Sequence, residues 1–248
     1  VDPWLPGEGT EVVLPTRFIL PPGPREGIVI NLAELRLYYY PKGENRVVTH
    51  PLGIGREGWS TPVGSTRIVR KQHLPTWRPP ASIRKEYAEK GETLPEVVRP
   101  GPDNPLGKHA LYLGMSAYLL HGTNKPYGVG MRVSHGCIRL YPEDIESLFG
   151  QVPVNTAVRI INQPYKAGWH DGRLYVEAHP PLSEQLEQQG INFTPMVRAI
   201  VDALGDRPLK PDWDAMKQAA QGQRGIPVPV TPSVQGITGG GTATALRE

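Results

Sequence analysis

The segment that decides the fold, residues 121–148, reads HGTNKPYGVGMRVSHGCIRLYPEDIESL and contains Cys137, the only cysteine among 248 residues. It follows the short apolar run AYLL, which predicts a buried strand that ends at His121. Near its end, Pro142 suits the first position of a helix and Gly150 suits a helix stop. The pattern predicts a strand, a glycine-rich return loop, a turn that carries the cysteine, and a short helix.

The single cysteine cannot form an internal disulfide, so Cys137 is a small core residue, a metal ligand or a reactive thiol. A strand that ends at His121 and a return loop would bring that imidazole to the cysteine. An adjacent imidazole can take the proton of a thiol, which is mostly protonated at neutral pH. Structural zinc on Cys137, His135 and His121 is disfavoured, because such sites use four ligands at tighter spacing. A Cys137–His121 nucleophile pair and an inert buried cysteine both remain open at this point.

Short strands and turns dominate the rest of the chain, which predicts a mainly β fold with short helices. Strands are predicted in GIVINLAELRLYYY (27–40), RVVTHPLGIG (46–55), GSTRIVRKQ (64–72) and TAVRIIN (156–162), and a hairpin in AGWHDGRLYVEA (167–178). Helices are predicted in PPASIRKEYAEKG (79–91), with Gly91 in the left-handed position after it, and in TPMVRAIVDALG (194–205), with Thr194 as N-cap.

The composition fits a globular chain, because 38% hydrophobic residues can close a core. The net charge is only +3, without a run of like charges, so nucleic-acid binding is not indicated. No apolar stretch reaches the length of a transmembrane segment. The first residues lack the basic and apolar parts of a secretory signal, so we expect Val1 to follow a trimmed segment.

Four regions are predicted along the chain. Residues 1–26 are rich in proline and predict an extended lead-in or linker. Residues 27–162 form the main β domain, and residues 163–224 form a smaller piece made of a hairpin and helices. Residues 225–248 show no periodic apolar face and are predicted to be a mobile tail.

Residues 121–148 resemble the active-site signature of the L,D-transpeptidases, the YkuD or ErfK/YbiS/YcfS/YnhG family of bacterial cell-wall enzymes. That signature is a histidine, a spacer, and then Ser/Thr-His-Gly-Cys followed by a hydrophobic residue and Asn or Arg. The resemblance covers about residues 27–162, and the flanks VDPWLPG and GWHDGRLYVEAHPPL resemble its Gram-negative periplasmic branch. It implies a β-sandwich-like L,D-transpeptidase catalytic domain with short helices, followed by a small C-terminal α/β extension.

Carried over to this sequence, the resemblance implies that Cys137 is the nucleophile and His121 the proton acceptor and donor. Ser134 and His135 would hold the site. Backbone N–H groups around Gly136 and Cys137 would face the developing oxyanion. Neither a metal nor a cofactor is required by this chemistry.

The predicted substrate-binding residues are Arg139, Gly122, Arg132 and Trp77. Arg139 stands where many relatives have Asn, and it either binds a carboxylate of the substrate or pairs with Glu143. Trp77 belongs to a Pro/Gly-rich insert at about residues 74–107. That insert is predicted to be a lid, with a solvated loop as the alternative.

The implied reaction is acyl transfer on peptidoglycan tetrapeptide stems. The cysteine attacks the carbonyl of the third residue, diaminopimelate, releases D-Ala and forms a thioester. An amine then takes the acyl group, either a second diaminopimelate in a 3-3 crosslink, the C-terminal lysine of an outer-membrane lipoprotein, or a free D-amino acid. The alternatives are a thiol hydrolase that trims stems or detaches lipoprotein, and a non-catalytic peptidoglycan-binding protein. The resemblance also implies export to the periplasm and a role in cell wall biogenesis and cell shape.

Overall fold

The computed structural model describes residues 7–11 and 13–232 and confirms the predicted mainly β fold with short helices. The strands in these residues are β1 (Gly27–Asn31), β2 (Arg36–Tyr40), β3 (Val48–Pro51), β4 (Ile54–Gly55), β5 (Gly64–His73), β6 (His109–Leu113), β7 (Leu119–His121), β8 (Arg132–Ser134), β9 (Ile138–Arg139), β10 (Ala157–Ile161), β11 (Tyr165–His170), β12 (Arg173–Ala178) and β13 (Val228–Pro229). The helices are α1 (Ala81–Glu89), α2 (Pro142–Gln151), α3 (Ser183–Gln189), α4 (Thr194–Leu204) and α5 (Trp213–Gly222), with one 3-10 turn at Pro126–Gly128. None of the helices in this part of the chain is long and apolar enough to cross a membrane.

The chain divides into two compact units. The larger unit comprises Pro21–Pro164 and Pro180–Asn192, and the smaller unit comprises the residues up to Leu20, Tyr165–His179 and the residues from Phe193 onward. The region predicted as a single C-terminal piece, residues 163–224, therefore contributes α3 to the larger unit.

The larger unit is built on an eight-stranded sheet with the order β3-β2-β1-β10-β5-β6-β7-β9. Strands β1, β2 and β3 form an antiparallel meander, and β10 returns parallel to β1. The paired residues Ile30 and Ile160 are at most 1% exposed. Burial of such a side chain stabilises the fold by roughly 1.5–3 kcal/mol. The sheet is thus anchored at its centre by aliphatic side chains.

Helices α1 and α2 follow the sequence signals closely. Helix α2 begins at Pro142, and its Ile145 and Leu148 lie in the same core as the sheet. Gly150, predicted as its stop, instead lies inside the last turn. Helix α1 ends at Glu89, and Gly91 has a positive φ of 77°, as its predicted position after the helix requires.

The smaller unit contains the sheet β11-β12-β13 with α4 and α5. The predicted hairpin turn at Asp171-Gly172 is present, and both residues have positive φ. Helix α4 has Phe193 at its N-cap position, so the predicted N-cap, Thr194, is already helical.

The proline-rich ends of the chain contact the hairpin of the smaller unit. The N–H of Ile19 donates to Glu177 at 2.6 Å and its carbonyl accepts from Lys166 at 2.6 Å. Val228–Pro229, within the segment predicted to be a mobile tail, pairs with β12. The rest of that predicted tail, residues 233–248, lies outside the described residues, as do residues 1–6 of the predicted lead-in.

Candidate active site

The pairing of two short strands brings the predicted nucleophile and base to one face of the sheet. Strands β7 and β9 are parallel, with Leu120 opposite Ile138 and His121 opposite Arg139. Leu120 and Ile138 are fully buried in the core. Because side chains alternate along a strand, His121 and Arg139 point to the other face, where Cys137, two residues before Arg139, also points.

The thiol of Cys137 lies against the chain that enters β7. Its sulfur donates to the carbonyl of Ala117 at 3.5 Å, and the backbone N–H of Leu119 donates to the sulfur. Burial raises the pKa of the Cys137 thiol, while the Leu119 bond and the charge of Arg139 oppose that rise. The thiol is therefore protonated at neutral pH.

The turn that carries the cysteine is held by Ser134 and requires glycine at position 136. The Ser134 hydroxyl accepts from the N–H of Gly136 at 3.2 Å and donates to the carbonyl of Cys137 at 2.5 Å. Gly136 has φ of 100°, and a Cβ there would lie 2.8 Å from the ring of Tyr118. The Gly136 carbonyl accepts from the hydroxyl of Thr61 at 2.8 Å, which ties the turn to the segment after β4.

His121 is buried, with 3% exposure, and is held in one tautomer. Its Nδ1 lies 2.5 Å from the carbonyl of Gly122, which can only accept, so Nδ1 carries the proton of the neutral ring and Nε2 is unprotonated. Burial and then the charge of Arg139 lower the pKa of His121 to about 3, although the carbonyls of Gly122 and Pro105 favour the protonated form. A neutral imidazole and a neutral thiol therefore share the site at rest. This neutral pair suits a mechanism in which the thiol proton passes to His121 during the attack on the substrate. It does not suit a thiolate–imidazolium pair formed beforehand.

His135 contacts two residues that the sequence analysis did not single out. Its Nε2 lies 2.9 Å from Oε2 of Glu86 on α1 and 3.1 Å from the guanidinium of Arg56, and its ring meets Trp59 edge-on at 4.9 Å. Burial lowers the pKa of His135, and the bond to Glu86 opposes that shift. In the sequence, only the spacing of four residues between Glu86 and Lys90 indicates any of these contacts, and that spacing is typical of ordinary surface ion pairs.

Arg139 is half-buried, and its Nε is a buried donor without a hydrogen-bond partner in the part of the chain described. Burial lowers the pKa of its guanidinium, and Tyr127, Cys137 and Tyr87 are the nearby groups that favour its charge. Among the described residues, Glu143 makes no ion pair with Arg139, so the predicted alternative role has no support. A half-buried guanidinium without an acidic partner is suited to an anionic ligand.

The other three predicted binding residues have structural partners. Arg132 pairs with Glu184 of α3 at 2.5 Å and donates to Ser183 at 2.8 Å, so its guanidinium already has two protein partners. Gly122 is buried, and a Cβ there would lie 3.1 Å from Ile145. The backbone of Trp77 pairs with Val98 inside the insert.

Several known proteins are similar to this chain. Residues 25–160 match the family model YkuD, described as the L,D-transpeptidase catalytic domain. The probable L,D-transpeptidase YbiS of Escherichia coli strain K12 is 47% identical over 235 residues, which cover 92% of this chain and 75% of that protein. The probable L,D-transpeptidase ErfK/SrfK of Salmonella typhimurium is 43% identical over 245 residues, 96% of this chain and 77% of that protein. Among solved structures, an L,D-transpeptidase from Mycobacterium smegmatis aligns with a TM-score of 0.40 at 20% identity, over 56% of this chain and 59% of that chain.

Proposed function

The chain belongs to the YkuD family of L,D-transpeptidases, and we propose that it acts through Cys137 on the tetrapeptide stems of peptidoglycan. The observation that carries this proposal is the parallel pairing of β7 with β9. That pairing sets a neutral imidazole and a thiol on one face of the sheet, beside the guanidinium of Arg139. A base, a nucleophile and an anion-binding group in one place are the parts that acyl transfer on a carboxylate-bearing peptide requires.

In the first half of the reaction, the sulfur of Cys137 attacks the carbonyl carbon of the third stem residue, diaminopimelate. The thiol proton passes to Nε2 of His121 as the C–S bond forms. When the tetrahedral intermediate collapses, the C–N bond to D-Ala breaks and the leaving amine takes the proton back from His121. The products of this half are free D-Ala and a thioester on the enzyme.

The oxyanion of the intermediate needs hydrogen-bond donors at the turn. The N–H of Gly136 already donates to Ser134, so the Cys137 N–H is the donor that the turn leaves for the substrate. Ser134 acts indirectly in this mechanism, because it fixes the turn that presents that N–H. A fixed donor needs no reorganisation when charge develops.

In the second half, an acceptor amine attacks the thioester carbonyl and gives a proton to His121. The C–S bond then breaks, and the Cys137 sulfur takes that proton back as the new amide is released. We propose a second diaminopimelate or the lysine of an outer-membrane lipoprotein as the acceptor, and the periplasm as the location. The relatives from Gram-negative bacteria support the proposed location. Water as the acceptor would make the protein a hydrolase, which is the second candidate because the site residues serve either acceptor.

Product analysis tests the proposal. The protein and a Cys137→Ala control are incubated with a disaccharide tetrapeptide that contains diaminopimelate, and the products are separated by chromatography. We expect release of D-Ala together with crosslinked dimers, and neither with the control. Tripeptide without dimers would indicate a hydrolase, and an unchanged substrate that still binds would indicate a binding protein.

A further inference from the structure

Glu86 on α1 accepts hydrogen bonds from three cationic or titratable groups at once. Its Oε2 lies 2.5 Å from the guanidinium of Arg56 and 2.9 Å from Nε2 of His135, and its Oε1 lies 2.6 Å from Nζ of Lys90. Lys90, then Arg56, lower the pKa of Glu86 to about 2. The carboxylate is therefore charged throughout the neutral pH range, and it is the common acceptor of the cluster.

Two of these partners, His135 and Arg56, are joined to the turn that carries Cys137. His135 lies between Ser134 and Gly136 in the turn itself. The backbone N–H of Arg56 donates to the carbonyl of Ser134 at 3.0 Å, so Arg56 is joined to the turn through its main chain as well as its side chain. Glu86 lies on the insert and therefore connects the insert to the turn.

Without the Glu86 carboxylate, Arg56 and His135 would lose the acceptor of their hydrogen bonds. The single nitrogen Nε2 of His135 lies within hydrogen-bond reach of a donor, Arg56, and of an acceptor, Glu86. If Nε2 carries the proton, it can donate only to Glu86 and faces the Arg56 donor unfavourably. Glu86 offsets this conflict because it accepts from both groups.

We propose that Glu86 is a positioning residue for acyl transfer: its carboxylate holds His135 and Arg56 so that the turn presents the Cys137 thiol and N–H in reactive geometry. This inference rests on the proposed function. It gives the insert a role in fixing the nucleophile's turn, beside the predicted role of a lid. Glu86 acts through the turn and makes no contact with the reacting atoms.

Glu86→Gln tests the proposal, with Glu89→Gln as the matched control. Glu89 lies on the same helix, and its ion pair with Lys85 at 3.8 Å is exposed. For each protein we would measure the rate constant and KM of Cys137 acylation by the diaminopimelate tetrapeptide, together with the Tm. We expect Glu86→Gln to lower the rate constant about ten- to a hundredfold, with a smaller change in KM. Glu89→Gln should match the wild type, and Glu86→Asp should recover part of the loss because it keeps the charge.

An NMR titration of the His135 ring supplies a readout that does not depend on turnover. The charges that face this ring are Glu86, Arg56 and Lys90, and only Glu86 favours its protonation. Removal of the Glu86 charge should therefore move the His135 titration to lower pH, and Glu89→Gln should leave it unchanged. Wild-type acylation rates in Glu86→Gln, or an unmoved titration, would overturn the proposal. A wild-type protein that is never acylated would instead contradict the proposed function, and the titration would still decide whether Glu86 holds His135.

Discussion

Arg139 lies directly opposite His121 in the parallel pairing of β7 and β9. Its positive charge lowers the pKa of His121 and also opposes the rise in the pKa of Cys137. The Arg139 guanidinium therefore shifts the pKa of both members of the proposed nucleophile pair. Its own Nε has no hydrogen-bond partner among the described residues. The site combines a base that stays neutral with a nucleophile that becomes easier to deprotonate when Arg139 is present.

Replacement of Arg139 by Met should weaken substrate binding. A charge-assisted hydrogen bond contributes about 1.5–3 kcal/mol, so we expect KM for the tetrapeptide to rise roughly ten- to a hundredfold. Arg46→Met is the control, because Arg46 forms an exposed pair with Glu44. A stem with amidated carboxylates should show the same KM with wild type and Arg139→Met. Equal KM values for the unmodified stem would refute the anion-binding role.

His121→Gln should remove the base and retain the fold, because a glutamine amide can still donate to the carbonyl of Gly122. General acid–base catalysis contributes about 10²–10⁴-fold, and we expect acylation to slow by that factor. The control is His170→Gln, a half-buried histidine beside Asp171 in the smaller unit. Circular dichroism would verify the fold. Normal acylation by His121→Gln would show that the imidazole is not the proton acceptor.

The pH dependence of alkylation reports the state of the thiol. Only the thiolate reacts, and burial raises the pKa of Cys137, so a larger share stays protonated at any given pH. The rate of alkylation by iodoacetamide should therefore rise with pH, with a midpoint above the ordinary cysteine value of about 8.5. The same measurement in denaturant should return the ordinary midpoint. A native midpoint below 8, on the order expected for a thiolate–imidazolium pair, would contradict the neutral resting state.

Gly136→Ala should destabilise the protein and impair acylation. The φ of 100° is unfavourable for alanine, and its Cβ would meet the ring of Tyr118 at 2.8 Å. We expect the free energy of unfolding to fall by roughly 2 kcal/mol or more. Gly150→Ala is the matched control, since a Cβ at this helical position meets nothing within 4 Å and alanine favours the helix by about 0.5–1 kcal/mol. Denaturant unfolding of both variants gives the comparison.

Local signals in the sequence predicted the elements that carry the site. The apolar run before His121, the proline at position 142 and the Asp171-Gly172 turn each depend on neighbouring residues only, and the structure contains all three features. Cys137 stood out because it is the chain's single thiol. The family resemblance then supplied the roles that periodicity cannot give.

The contacts that support the turn could not be predicted in the same way. Glu86 and Lys90 have the spacing of a surface ion pair along a helix, and nothing in the sequence indicates that His135, 49 residues away, shares that carboxylate. Arg132 was predicted to bind the stem carboxylates from its charge alone, and nothing in the sequence indicates its ion pair with Glu184. Strand β13 could not be predicted for the same reason. Its segment contains proline and forms a strand only because it pairs with the edge of β12.

In the proposed mechanism, Cys137 carries the acyl group. Intact-protein mass spectrometry after incubation with the diaminopimelate tetrapeptide measures this directly, with Cys137→Ser as the control and peptide mapping to locate the adduct. We predict an added mass equal to the stem minus D-Ala, on the peptide that contains Cys137, and none on the control. An adduct that also forms on Cys137→Ser, or a substrate that turns over without any Cys137-dependent adduct, would contradict it.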